Sequence, residues 1–98
     1  MTDAELRGLL ADCLNLWSVE GRLIPGTDGW EIVTADGVFS VARADPALRP
    51  ARWLLQTPER QAAGRPARAA PSIVAALSAL RNNLGAGAGR KLRIGGGA

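Results

Sequence analysis

The spacing of apolar residues changes once early in the chain, and the change separates a helix from a set of strands. Leu6, Leu9, Leu10, Cys13, Leu14 and Trp17 recur at steps of three and four, forming one stripe, with Arg7, Asp12 and Asn15 lying off it. Thr2-Asp3-Ala4-Glu5 stands directly before that stripe and matches a capping box. In this motif a hydroxyl and a carboxylate satisfy backbone N–H groups that a helix start leaves unpaired, so a helix is predicted to begin here.

After Ser18 the runs shorten and turn residues separate them. Val19–Ile24 reads as a strand, Pro25–Gly29 as a turn, and residues 30–35 and 38–43 as two further strands joined by Asp36-Gly37. Asp-Gly between runs rich in β-branched and aromatic residues signals a tight antiparallel hairpin, because glycine accepts the positive φ of a primed turn. A loop broken by Pro46 and Pro50 leads to Arg52–Thr57, which reads as a fourth strand with Trp53 and Leu55 on one face.

Residues 58–70 carry Pro58, Gly64 and Pro66 and no apolar side chain larger than alanine, so an exposed loop is expected there. Helical spacing returns at Ile73, Ala76, Leu77, Leu80 and Leu84. The second helix is thus predicted from Pro71 or Ser72 to a stop at Gly85.

Together these elements predict an α+β two-layer sandwich over residues 1–85. An N-terminal helix, a three- to four-stranded antiparallel meander and a C-terminal helix form one domain. Residues 86–98 read as a flexible, basic, Gly-rich tail, disordered at its end, in which Leu92 and Ile94 could dock as a short edge strand. The element order is similar to that of the double-stranded-RNA-binding domain, whose second helix carries basic residues at its start. Here the lysine-rich motif is missing and Pro71 occupies that place, so the likeness is topological and implies no family.

Composition narrows the chemistry. The 98 residues include no histidine, the commonest general acid–base and metal-binding side chain, and a single cysteine. No metal site, cofactor or catalytic residue is therefore expected, and the reading is of a non-catalytic protein. Cys13 lies on the apolar stripe, where a thiol packs as a small hydrophobe. Acids such as Asp28 and Glu31, spread over turns and strands, read as solvated.

Glycines 85, 87 and 89 fit neither a phosphate loop nor a dinucleotide fingerprint, because they follow a helix and lack the required spacing. No apolar stretch approaches the length that spans a bilayer, and an acid stands early where a signal peptide carries positive charge. The expectation is a cytoplasmic protein with no membrane partner.

Charge is what distinguishes the two parts of the chain. Residues 1–45 hold eight acids against three arginines, a balance of −5, while residues 46–98 hold one acid against eight arginines and Lys91, a balance of +8. Guanidinium groups on an exposed loop pair readily with carboxylates and phosphates, so Arg49, Arg52, Arg60, Arg65 and Arg68 form the candidate binding set. Trp53 beside Arg49 and Arg52 is the aromatic best placed to join them, although core burial is the commoner use of a tryptophan.

The chain is accordingly read as a small macromolecule-binding or adaptor module whose partner is a protein with an acidic surface. The alternative is a nucleic-acid-binding protein that adds Arg90, Lys91 and Arg93 from the tail. Unpaired edge strands leave homodimerisation open.

Overall fold

The structure is a computed structural model and describes residues 1–84. Helix α1 spans Asp3–Leu16 and opens on the predicted capping box. Glu5 N donates to Thr2 Oγ1 at 3.1 Å, and Thr2 N donates to Glu5 Oε1 at 3.0 Å. The Thr2 hydrogen bonds, the backbone one foremost, hold the Glu5 carboxyl below its usual range.

A meander follows: β1 (Arg22–Gly26), β2 (Gly29–Thr34), β3 (Gly37–Arg43), β4 (Trp53–Gln56) and β5 (Arg68–Ala70). Neighbours pair antiparallel in the order β1-β2-β3-β4-β5. A 3-10 turn at Pro46–Leu48 lies between β3 and β4, and the short helix α2 (Pro58–Ala62) lies between β4 and β5. Residues 73–84 form helix α3, whose start is capped by Ser72 Oγ accepting from Ala75 N at 3.1 Å.

The register shows how the core is assembled. Ile32 stands opposite Phe39, Val41 opposite Leu55, and Trp53 opposite Ala70, so these side chains share one sheet face. They are buried in a single cluster with Leu6, Leu10 and Leu14 of α1 and Ala76, Ala79, Leu80 and Leu84 of α3. Both helices therefore cover the same face, which makes the domain a two-layer α+β sandwich. The other face carries Ile24, Glu31, Val33, Val38, Ser40, Ala42, Leu54, Gln56 and Ala69, all partly or fully exposed.

Polar contacts anchor the start of α1 to the sheet. Arg43 Nη1 meets Asp3 Oδ1 at 2.7 Å, Arg43 Nη2 donates to the Met1 carbonyl at 2.8 Å, and Trp30 Nε1 donates to the Asp3 carbonyl at 2.9 Å. The ion pair is largely solvated, so its orientation of the helix matters more than its energy, which is about 0–1 kcal/mol for such pairs.

Three expectations are corrected. The meander has five strands, because Arg68–Ala70 pairs with β4 although it has neither a β-branched nor an aromatic residue. Segment 58–70 is thus not a loop throughout, since it holds α2 and β5. Strand β1 also runs through Pro25 and Gly26, leaving only Thr27 and Asp28 in the turn. Proline is tolerated there because β1 is an edge strand. The predicted stop at Gly85 and the tail, with its suggested edge strand at Leu92 and Ile94, lie outside the described residues.

Leu10→Ala should lower the unfolding free energy by about 2–5 kcal/mol, as expected for a fully buried leucine, whereas Val33→Ala on the uncovered face should cost less than about 1 kcal/mol. Denaturant midpoints read the difference. Because the folded-state pKa of Glu5 is depressed, its contribution to stability is present above the ordinary carboxylate pKa and is lost as pH falls through the lowered value. Glu5→Gln should accordingly flatten that part of the acid limb in a stability-versus-pH series.

Candidate functional site

The segment between β4 and α3 looks irregular in sequence but is ordered by a sequence of caps. Thr57, almost fully buried, is the N-cap of α2: its Oγ1 accepts from Arg60 N at 3.2 Å, and Pro58 occupies the first helical position, where a missing N–H costs nothing. At the other end Gly64 takes φ +69°. Gly64 N donates to the Gln61 carbonyl at 3.1 Å and Arg65 N to the Arg60 carbonyl at 2.8 Å, the paired bonds of a Schellman stop.

Side chains then brace the return. Gln56 Nε2 donates to the Arg65 carbonyl at 3.1 Å, while Gln56 Oε1 accepts from Thr57 N at 3.1 Å. Arg60 Nε donates to the Pro66 carbonyl at 3.0 Å. These bonds turn the chain so that β5 can pair with β4, with Arg68 opposite Leu55.

The turn closes a cleft of about 250 Å³ with Leu55 and Thr57 in its lining and Arg60, Arg65 and Arg68 around it; Glu59, Ala63 and Asn83 of α3 complete the lining. Among the described residues none of the three arginines forms an ion pair, and the guanidinium groups of Arg65 and Arg68 make no hydrogen bond. Asn83 Nδ2 donates to the Ala79 carbonyl at 2.8 Å, which holds the amide at the cleft. Three cations against one carboxylate give the lining a net positive charge.

The volume lies below the range of about 300–1,000 Å³ of small-molecule pockets.

The structure divides the predicted set. Arg60, Arg65 and Arg68 come together, whereas Arg49 and Arg52 lie before β4, at its far end. Arg52 and Thr57 bracket a four-residue strand, which puts them roughly 16 Å apart at about 3.3 Å per residue. Trp53 faces the helices at 9% exposure, with Arg43 5.8 Å from its ring centroid, so it packs in the core and offers no exposed stacking surface. Arg90, Lys91 and Arg93 lie outside the described residues.

Thr57, Gln56 and Asn83 were not anticipated. The Thr-Pro start and the Gly64 stop were the legible signals for α2, hidden by its five-residue length. Cys13 is half-buried, and burial raises its thiol pKa, which keeps it protonated and weakly nucleophilic at neutral pH. Among the described residues no group of three His, Cys, Asp or Glu side chains is placed to hold a metal ion. None of their helices is long and apolar enough to cross a membrane.

Compared with known proteins, the chain matches no family model, no curated protein and no solved structure.

Gly64→Ala should destabilise the protein by about 1 kcal/mol even though nothing lies within 4 Å of the added methyl, because the cost comes from the positive φ. Thermal unfolding of the variant beside Gly8→Ala, which removes a glycine from α1 and should stabilise, separates backbone strain from a general glycine effect.

Proposed function

We propose that this protein is a binding or adaptor module that recognises a partner protein through an acidic group seated among Arg60, Arg65 and Arg68. The observation that carries this reading is the convergence of three arginines, without ion pairs among the described residues, on one cleft whose backbone is held by caps. Guanidinium is suited to the task because its planar donors engage both oxygens of a carboxylate, and its charge persists at every physiological pH.

A nucleic-acid reading draws on the same arginines and on the basic balance of residues 46–98. The sheet argues against single-stranded nucleic acid as the ligand. Phe39 and Trp53 are buried against the helices, Trp17 and Trp30 pack against the same core, and the uncovered face presents no aromatic on which a base could stack.

Anisotropy of a labelled hexaglutamate peptide and of a labelled mixed-sequence 12-mer oligonucleotide, each at two salt concentrations, tests the proposal. The peptide should bind, weaken with salt, and lose about tenfold in affinity for each of Arg60→Ala, Arg65→Ala and Arg68→Ala, equivalent to about 1.4 kcal/mol apiece. Arg49→Ala and Arg52→Ala should change it little. Peptide binding indifferent to the three cleft substitutions, or displaced by substoichiometric oligonucleotide, would overturn the assignment.

A further inference from the structure

The edge formed by β1 and the residues before it carries a charge pattern that is complementary to itself. Which backbone groups face outward follows from the pairing. Arg43 N donates to the Asp28 carbonyl, which makes Gly29 and Ala42 a pair without mutual hydrogen bonds. Gly29, Glu31 and Val33 then bond toward β1, engaging Gly26, Ile24 and Arg22. Alternation leaves the N–H and C=O groups of Gly21 and Leu23 directed away from the sheet, whereas Pro25 has no N–H to offer there.

The chain already runs alongside β2 before β1 formally begins. A Cβ on Gly21 would lie 3.5 Å from the Val33 carbonyl oxygen and 3.1 Å from Ile32 Cγ2. Val19 N is taken by the Leu14 carbonyl, and its own carbonyl carries no hydrogen bond among the described residues. Side chains alternate along this edge: Val19 and Leu23 pack toward the helix layer, while Glu20 and Arg22 are exposed, with no ion pair among the described residues.

We infer that two copies of this chain associate by antiparallel pairing of residues 19–23 about a two-fold axis through Gly21, joining their sheets into one. Gly21 N–H donates to the Gly21 carbonyl of the second copy in both directions, and Leu23 N–H donates to the Val19 carbonyl likewise. Arg22 then stands directly opposite Glu20 of the second copy, twice, on the uncovered face. Leu23 meets Val19 of the second copy on the helix side.

The neighbouring registers are disfavoured by charge. A shift one way opposes Arg22 to Arg22, a shift the other way opposes Glu20 to Glu20, and like charges directly opposite destabilise a sheet. A larger slide toward β1 sets Pro25 against Gly21 and loses a donor. The helix layer leaves room for the approach: a groove of about 530 Å³ runs between α1 and this edge, with Leu14, Val19 and Leu23 in its lining and Arg7 and Asn15 on the α1 side. The Val19 and Leu23 side chains of both copies lie along its floor in the joined sheet. The arginine cleft is not part of this surface.

Sedimentation equilibrium of the full chain tests the inference. The wild type should show a concentration-dependent monomer–dimer equilibrium. Glu20→Arg and Arg22→Glu should each raise the dimer dissociation constant at least tenfold, and the double exchange Glu20→Arg/Arg22→Glu should restore it. Circular dichroism of the single variants, whose substituted side chains are exposed, checks that each protomer keeps its fold. A wild type that stays monomeric to about 1 mM, single reversals without effect, or a double exchange that fails to rescue would each overturn the pairing. Arg60→Ala/Arg65→Ala/Arg68→Ala should leave the dimer unchanged, so the fate of the cleft and that of the edge are read separately.

Discussion

Everything in this domain hangs on one contact, the burial of a single sheet face beneath α1 and α3. Leu6, Leu10 and Leu14 supply one side of it, Leu80, Leu84 and the small residues Ala76 and Ala79 a second, and the inward side chains of β2, β3, β4 and β5 the floor. The described residues form one core. Small residues on α3 are buried in the same cluster, to which Phe39 and Trp53 supply the aromatic bulk, with Trp17 and Trp30 at the margin. Since the large aromatics are committed inward, the second sheet face is left aliphatic and polar.

How much of this was readable from the residues depended on the strength of the local signal. The capping box, the helical stripe and the Trp53/Leu55 alternation each rest on a physical rule that acts over a few residues, and each element formed where that rule put it; the β2–β3 hairpin formed too, but it turns at Ala35-Asp36, one residue earlier than expected, and Gly37 takes its φ of +127° as the first residue of β3. Strand β5 has no such local cause: Arg68, Ala69 and Ala70 have little preference for a strand, and they adopt one because β4 offers unpaired backbone groups and Ala70 fits against Trp53. Helix α2 is as short as a helix can usefully be, so its Pro58 and Gly64 read as loop punctuation when they are its first residue and its stop.

The site was legible as a set of arginines but not as a place. Sequence distance put Arg49 and Arg52 with Arg60, Arg65 and Arg68, whereas β4 runs between the two groups and separates them by its full length. What unites the second group is the turn from α2 into β5, a tertiary consequence of pairing with β4. The ion pair between Asp3 and Arg43, the one found among the described residues, joins two residues of the acidic part.

The bonds that shape the cleft come from main-chain groups, from Thr57, from the Gln56 amide and from one nitrogen of Arg60. The outer guanidinium groups take no part. Scaffold and charge are therefore separable inheritances: substitutions at Arg65 and Arg68 can retune or reverse the charge of the cleft without disturbing the turn that presents it. A lineage carrying this domain could invert that charge through changes at two surface codons, while the alanines, leucines and caps beneath them stay under an unrelated selection for folding.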